Sequence, residues 1–370
     1  MELSDYDRTQ RESIVLAALG SPDPGKRQVD GLGGGSSSLS KTAIVRTAVP
    51  SEDADVAFEF AQVEVSRAVV DFTGNCGNIS AAIGPYAVNF GMVEASEPIA
   101  DVVCLSLNTG QRFVSRVPVE SGRFNPTENY VISGVPGSGS KIDLVYQNPF
   151  GSVDGSMFPT GMVNETIELA PGREVSMSIV DVANPMVFVT GEEIGIDVGA
   201  APEEIELKSD KLRDLEVVRS EAAVRLGIVN SLAGATVKSP TIPKVAVVGQ
   251  TASYITTEGE EVQSGEVDLL IRLISMRRVH RTIAVTAAMC ATAAAQIPET
   301  VVGRCVLEDT DGTIRLGHPA GVFACDAKVE KLASGDWVVP EVSVSRTARL
   351  IMDGHVLIPQ ACVSTKAGYG

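Results

Sequence analysis

The segment Asn75-Cys-Gly-Asn-Ile-Ser-Ala-Ala-Ile-Gly-Pro-Tyr-Ala-Val88 decides the fold, because it joins a sharp polar turn to a run of small apolar residues. Strand-like alternation precedes it over residues 61–72, and residues 79–88 are typical of a buried helix. The second half repeats this order, since Val285-Thr-Ala-Ala-Met289 opens another alanine-rich helix that runs to Ile297. Each half therefore predicts one small buried helix between strands, as in a diverged internal duplication.

The surrounding pattern predicts further helices and strands. Residues 8–19 read as a helix that Gly20 ends, and residues 202–226 as a charged amphipathic helix. Strands are expected at 42–48, 244–249 and 268–274, and residues 101–189 are β-rich. The fold class is therefore α+β. Two similar halves imply a cleft between them, which is a common place for a ligand pocket.

Composition excludes several classes of protein. The chain has 370 residues, with 30 Lys and Arg against 47 Asp and Glu, which gives a net charge of −17. This charge argues against nucleic acid and anionic membranes as partners. Apolar runs are too short for a membrane helix, and the charged start is unlike a secretory signal. The six cysteines lack the paired spacing of disulfide frameworks or zinc sites, so a cytoplasmic location is expected.

The loop Gly31-Leu-Gly-Gly-Gly-Ser-Ser-Ser-Leu-Ser-Lys41 is the first candidate for chemistry. A nucleotide-binding phosphate loop is disfavoured, because Ser40 stands where glycine should precede Lys-Thr and a strand follows instead of a helix. The backbone amides of the loop could form a nest for an anion. The alternative is a flexible surface linker, which glycine and serine runs often form.

Three further positions have both a functional and a structural interpretation. Cys76 begins the first buried helix, where free amides stabilise an anion, although a lone cysteine there is often a core residue. Thr286 holds the corresponding place in the second half, as a second anion-binding end or as a helix cap. His280 lies in a basic stretch, residues 275–281, that either faces a carboxylate pocket or forms a surface patch. Only three histidines are present, so no multi-histidine metal site is expected.

Several motifs, in order along nearly the whole chain, resemble the PrpF-type family of 2-methylaconitate cis-trans isomerases. They are Gly20-Ser-Pro-Asp23, Gln28-Val-Asp-Gly31, the serine loop to Lys41, Asn75-Cys-Gly-Asn-Ile-Ser80, Gly134-Val-Pro-Gly137, Phe158-Pro-Thr-Gly161, Asp181-Val-Ala-Asn-Pro185 and His318-Pro-Ala-Gly321. The resemblance implies the fold of diaminopimelate epimerase. Two similar domains, residues 1–184 and 185–370, would each wrap a mostly antiparallel sheet around a central helix, with the active site in the cleft between them. The last strand is expected to pair back with the first domain.

The resemblance also implies roles for individual residues. Lys41 matches the catalytic base of the family, and Cys76 matches the cysteine that faces it, either as an acid or as a group that positions the substrate. Positions near the substrate carboxylates are matched by Ser37, Ser38, Ser40, Gly77, Asn78, Ser275, Met276, His280 and Thr286. Related epimerases carry a second cysteine where this chain has Thr286. Cys290 lies about one helical turn inward, so an epimerase with two thiols is disfavoured.

The implied activity is a cofactor-independent shift of a C=C bond in a small unsaturated di- or tricarboxylate such as 2-methylaconitate, aconitate, methylitaconate or 4-oxalomesaconate. The expected partner is the small polycarboxylate substrate, and a homodimer is one assembly that the protein could form. Family members usually carry an Arg-Gly-Gly-Thr-Ser-Lys-Gly strand before the first helix, and this sequence starts after it. That departure leaves open an alternative, in which the protein binds a polycarboxylate without turnover.

Overall fold

The fold combines seven α-helices with strands that are mostly antiparallel. The computed structural model describes residues 3, 6–36, 39–72, 76–133, 135–239, 242–275, 278–306, 312–360 and 362. Within them the helices are α1 (Arg8–Leu19), α2 (Gly77–Asn89), α3 (Gly191–Ile194), α4 (Pro202–Leu207), α5 (Ser209–Arg225), α6 (Leu232–Lys238) and α7 (Val285–Ala295). None of these helices combines the length and the apolar composition that crossing a membrane requires.

The strands are numbered in the order in which they follow along the chain. In the first half they are β1 (Lys41–Thr47), β2 (Val56–Val63), β3 (Val70–Asp71), β4 (Ile99–Ser106), β5 (Arg112–Glu120), β6 (Arg123–Phe124), β7 (Ile142–Gln147), β8 (Glu165–Ala170) and β9 (Arg173–Val182). The second half has β10 (Asn184–Thr190), β11 (Lys244–Gln250), β12 (Tyr254–Ile255), β13 (Glu261–Val262), β14 (Leu269–Ser275), β15 (Arg278–Val279), β16 (Thr313–His318), β17 (Gly321–Lys331) and β18 (Trp337–Arg346). The fold class is α+β, as predicted.

Two compact units make up the chain. The first contains Met1–Tyr130, Ser138–Leu144 and Arg346–Gly370, and the second contains Val131–Gly137 and Val145–Ser345. Strands β8 and β9 belong to the second unit because β9 pairs with β10, which pairs with β11. The units thus divide at other residues than the expected domain boundary at 184. The described end of the chain returns to the first unit, where Ala348 and Leu350 line a pocket with Pro85 and Tyr86 of α2.

In the first unit a sheet encloses the buried face of α2. The order β1-β2-β4-β5 is antiparallel except for the parallel pair β2 and β4. Helix α2 contacts β1, β2, β4, β5 and β6. The helix can approach β5 closely because it presents Gly84, where a Cβ atom would lie 2.3 Å from Ser115 Oγ. Small residues therefore allow the sheet to close around this helix.

The second unit repeats this arrangement around α7. Its strands run β18-β17-β16-β14-β11-β10-β9-β8, with parallel pairing only at β10–β11 and β14–β16 among the strand pairs that the structure describes. Helix α7 contacts β9, β10, β16 and β17, which form two separate pairs of neighbours in this strand order. Its residues 287–295 are all buried. One central helix in each sheet is the architecture that the repeated sequence pattern predicts.

Two predicted elements differ from the structure. The strand expected over residues 61–72 is divided between β2 and β3, because the chain turns at 64–69, where Glu64 N–H donates to Val69 O over 3.0 Å. The helix expected over 202–226 is broken at Lys208, whose ψ of 66° leaves the helical region. The break changes the direction of the chain, so that Ile205 of α4 and Leu212 of α5 are both buried.

Candidate active site

Lys41 is placed by the first strand of the first unit. It is the first residue of β1, and its backbone lies opposite Gln62 of β2. The preceding residue is fixed as well, since Ser40 O accepts hydrogen bonds from Val63 N–H at 2.9 Å and from Gln62 Nε2 at 3.1 Å. The lysine side chain thus extends from the start of a strand whose backbone is fixed by hydrogen bonds to β2. Lys41 itself is half-buried.

Cys76 is placed by the buried helix α2. It is the N-cap residue, with extended backbone angles (φ −132°, ψ 110°), and it is half-exposed, unlike a core residue. Its carbonyl accepts Ser80 N–H at 2.9 Å and Ser80 Oγ–H at 3.1 Å, which fixes the first helical turn. Because α2 packs against β1, Lys41 Nζ lies 3.5 Å from Cys76 Sγ. The two residues matched to the catalytic pair are therefore in contact.

The start of α2 can hold an anion. Gly77 and Asn78 are the first two helical residues, and their amides have no acceptor within the helix. They lie at the same helix end as Cys76 Sγ, where the helix dipole favours negative charge. Asn78 is exposed and Gly77 half-buried, so a small ligand can reach this end. An amine, a thiol and amides without an acceptor inside the helix are thus collected at one place in the first unit.

The serine loop is tightly packed in its described part. A Cβ atom on Gly31 would lie 2.2 Å from Gly20 N, so only glycine permits this approach of the two segments. Ser40 is fully buried, and its hydroxyl donates to Gln28 Oε1 at 2.5 Å. These contacts argue against a freely flexible linker. Ser37 and Ser38, which are matched to the substrate carboxylates, lie outside the described residues.

Asp23 organises the other side of this loop. Its carboxylate accepts backbone N–H groups of Gly25, Arg27 and Gln28 at 2.7–2.9 Å. These hydrogen bonds, that of Arg27 foremost, lower the pKa of the Asp23 carboxyl. No sequence pattern predicts the roles of Asp23 and Gln28 beyond their presence in family-like motifs. For Gln28 the signal is geometric, since its partners Ser21, Gly35 and Ser40 lie 7–12 residues away along the chain.

The predicted residues of the second unit lie at β14, β15 and the start of α7. Ser275 ends β14 opposite Arg278, and His280 N–H donates to Leu273 O at 2.8 Å. Thr286 is the second residue of α7, whose N-cap is Ala284. The interpretation of Thr286 as the helix cap is therefore wrong, because the helix begins one residue before it. Met276 lies outside the described residues.

The basic stretch around His280 is partly neutralised by α4. Arg281 forms an ion pair with Glu203, and Val279 N–H donates to Glu206 Oε1 at 3.1 Å. The charge of Arg281 lowers the pKa of Glu203 through their hydrogen bond. Since Glu203 offsets Arg281, the positive charge available to a carboxylate is smaller here than the sequence alone indicates.

The chain matches known proteins over nearly its full length. Residues 2–359 match the sequence model of the family described as PrpF protein. It is 38% identical to the 3-methylitaconate isomerase of Eubacterium barkeri, over 96% of this chain and 92% of that protein. It is 33% identical to the 2-methyl-aconitate isomerase of Cupriavidus necator, over 94% of this chain and 89% of that protein.

The fold also matches a solved structure. The crystal structure of methylitaconate-delta-isomerase superposes with a TM-score of 0.90 at 36% identity, covering 98% of this chain and 92% of that one. The match to the family model over residues 2–359 extends through both units. The chain therefore belongs to the PrpF protein family and is an isomerase.

Proposed function

We propose that this protein shifts a C=C bond within a small unsaturated di- or tricarboxylate, with Lys41 as the base and without a cofactor. The contact of Lys41 Nζ with Cys76 Sγ at the start of α2 carries this proposal. The relatives support the substrate class, because two of them are named for acting on methylitaconate and 2-methylaconitate. We extend that class here to unsubstituted and keto-substituted acids of the same size.

The reaction needs one proton to leave and one to return. The neutral amine of Lys41 takes a proton from a carbon next to the alkene, and the electron pair of that C–H bond forms a dienolate. Its negative charge spreads onto a substrate carboxylate or keto group. The ammonium of Lys41 then gives a proton to the far carbon of the allylic system, so that the enzyme ends in its starting state. Lysine suits this task because a single amine can accept and return the proton.

The start of α2 is proposed to hold the developing charge. The amides of Gly77 and Asn78, which have no acceptor within α2, are fixed before the substrate arrives, and such preorganised donors stabilise an oxyanion more than water does. The Ser80 hydrogen bonds to Cys76 O keep this turn rigid. Within the second unit, the start of α7 at Thr286 and the stretch with Ser275 and His280 are proposed as carboxylate-binding positions, on the family resemblance.

The distance between Lys41 and Cys76 favours one role for the cysteine. Groups that act on opposite faces of one carbon each lie about 3–3.5 Å from it, so they are roughly 6–7 Å apart. Lys41 Nζ and Cys76 Sγ are 3.5 Å apart, which is the length of a direct N–H···S hydrogen bond. We therefore propose that Cys76 orients Lys41 from the same side instead of acting as an opposing acid.

Two alternatives are less well supported. An epimerase with two thiols would need a second reactive cysteine, but Cys290 is fully buried in α7, and burial raises the pKa of its thiol. A protein that binds polycarboxylates without turnover would have no need for a lysine in contact with a thiol. The named activities of the relatives also favour an enzyme.

Replacing Lys41 tests the proposal. The variant Lys41→Met should lose solvent deuterium incorporation into the substrate by at least about 1,000-fold, while the melting temperature stays close to that of the wild type. Lys328→Met is a matched control, because Lys328 is 67% exposed on β17 and should leave exchange unchanged. Exchange by Lys41→Met at the wild-type rate would exclude Lys41 as the base.

A panel of acids identifies the substrate and tests the binding alternative. The wild type is assayed with 2-methylaconitate, cis-aconitate, methylitaconate and 4-oxalomesaconate under the same conditions, and titration calorimetry follows binding of each. We expect isomerisation of at least one acid together with deuterium exchange. Tight binding of all four without exchange would favour the binding protein.

A further inference from the structure

We propose that Gln28 is a positioning residue for catalysis, and that it holds Ser40 and through it the strand end that carries Lys41. The inference rests on the proposed role of Lys41 as the base. Gln28 lies in the loop between α1 and β1, thirteen residues before Lys41 in the sequence. Its side chain contacts the serine loop at two places, Gly35 and Ser40.

The amide of Gln28 makes three hydrogen bonds in a buried place. Its Oε1 accepts Gly35 N–H at 2.9 Å and Ser40 Oγ–H at 2.5 Å, while its Nε2 donates to Ser21 Oγ at 2.9 Å. The side chain is 1% exposed. Because the backbone N–H of Gly35 can only donate, the amide atom that faces it must be the oxygen. Because the side chain is buried from solvent, each lost bond leaves a buried polar atom unpaired.

The backbone around Gln28 is shaped for this contact. Gln28 has a φ of 49°, a left-handed conformation that is uncommon for a residue with a long side chain. Its N–H is held by the Asp23 carboxylate at 2.7 Å. On the other side, a Cβ atom on Gly33 would lie 2.3 Å from the Gln28 amide carbon. Asp23 therefore fixes the backbone of Gln28, and the close approach of Gly33 confines its side-chain amide, which is the arrangement expected for a residue that must aim its side chain accurately.

Ser40 connects the Gln28 side chain to Lys41. The hydroxyl of Ser40 is bound by Gln28, and its carbonyl is bound by Val63 N–H of β2. Lys41 follows directly, so rotation at Ser40 would move Lys41 Nζ away from Cys76 Sγ. A displacement of about 1 Å at a reacting group commonly lowers a rate by roughly 100-fold. The matched role of Ser40 at a substrate carboxylate is thus replaced by a role in positioning.

Two substitutions and their combination test this chain of contacts. Gln28→Met fills the same space without hydrogen bonds, and Ser40→Ala removes only the hydroxyl. Each should lower kcat about 10- to 100-fold while KM changes less than about 3-fold. If Gln28 acts through Ser40, the double variant should have a kcat within about 3-fold of Gln28→Met alone. A double variant whose loss equals the product of the two single losses would overturn the proposal.

Ser140→Ala is the matched control for the loss of a buried hydroxyl. Ser140 is fully buried in the same unit, and its hydroxyl donates to Asn125 O at 2.5 Å, as short as the bond from Ser40. This variant should lose comparable thermal stability but keep kcat within about 2-fold of the wild type. An equal loss of kcat in Ser140→Ala and Ser40→Ala would assign both effects to general destabilisation and contradict the inference.

Amide hydrogen exchange separates this inference from the proposed function. In Gln28→Met, peptides covering residues 34–45 should exchange at least about 10-fold faster, whereas peptides from β4 and β5 should not change. This result does not depend on which residue is the base.

If Lys41→Met stays active, the proposed base is wrong even when exchange at 34–45 increases. If exchange there is unchanged in both Gln28→Met and Ser40→Ala, the positioning role is wrong even when Lys41 is essential. Should Gln28→Met fail to fold, Ser40→Ala with its control gives the same two readouts.

Discussion

At the scale of single residues, the burial of a side chain indicates whether it can contact a substrate or only packs inside the protein. Cys76 and Ser40 both lie beside Lys41 in space or in sequence, yet Cys76 is half-exposed in contact with the amine and Ser40 is fully buried. Local sequence could indicate that Cys76 stands at the start of a helix and that a strand follows Lys41. It could not indicate that Gln28 binds Ser40, because that contact depends on how two glycine-rich segments fold against each other.

A residue-scale prediction concerns the far end of β1. Glu52 accepts two hydrogen bonds from the Arg46 guanidinium, at 2.6 and 2.8 Å, and one from Val49 N–H at 2.8 Å. These contacts, that of Arg46 foremost, lower the pKa of Glu52 from 4.5 to about 2. A carboxyl whose pKa is lowered by folding stabilises the fold above its unfolded pKa, and this stabilisation is lost as the pH falls through the folded pKa.

The variant Glu52→Gln should therefore melt below the wild type at pH 7. The difference should shrink as the pH falls from about 4.5 to about 2, because the wild-type carboxylate becomes protonated over that range. Thermal melts followed by circular dichroism at several pH values measure it. Glu94→Gln, at an exposed position of the same unit, serves as the control and should track the wild type. A constant difference down to pH 2 would contradict this account of Glu52.

At the scale of elements, small residues decide how closely the sheets surround their central helices. The apolar run at 79–88 and the alanine-rich run after Val285 predicted both helices, and the structure has them as α2 and α7. Apolar composition, not periodicity, was sufficient here, because a helix rich in apolar residues has to bury most of its surface. It failed at Lys208, since the break between α4 and α5 depends on the burial of Ile205 and Leu212 against other elements.

Gly84 gives the prediction at this scale. The variant Gly84→Ala would place a Cβ atom 2.3 Å from Ser115 Oγ and 2.6 Å from Ser115 Cβ, so that α2 and β5 must separate. We expect a loss of about 1–3 kcal/mol in the free energy of unfolding, as for other overpacked sites. Urea unfolding measures this loss. Gly354→Ala is the control, because an added Cβ there meets no atom within 4 Å. Equal stability of the two variants would mean that the helix does not need this close approach.

At the scale of the whole molecule, burial divides the cysteines into two groups. Cys104, Cys290, Cys305 and Cys325 are buried, whereas Cys76 and Cys362 are half-exposed. Burial raises the pKa of the Cys104 and Cys290 thiols, and raises that of Cys305 to about 11. Since the thiolate is the reactive form, the buried thiols should be inert in the folded protein. The positions of the cysteines along the sequence do not indicate which of them are buried. Their burial depends on how the strands and helices pack in the folded protein.

Alkylation of the native protein tests this division. Iodoacetamide should modify Cys76 and Cys362 well before the other four cysteines, and loss of activity should follow modification of Cys76 alone. Peptide mass spectrometry at successive times identifies the sites. In Cys362→Ala, labelling of Cys76 and the rate of inactivation should be unchanged. Early modification of Cys104 or Cys290 would contradict the burial that the structure describes.

The return of the chain end to the first unit has a consequence for synthesis. Lys41 and Cys76 leave the ribosome early, but their unit also includes residues 346–360, whose Ala348 and Leu350 lie with Pro85 and Tyr86 of α2. During translation the reactive pair is therefore made long before its surroundings are complete. Nascent chains would acquire activity only after residues 346–360 have emerged from the ribosome, and a fragment ending at residue 184 would carry the pair without the segment that completes its unit.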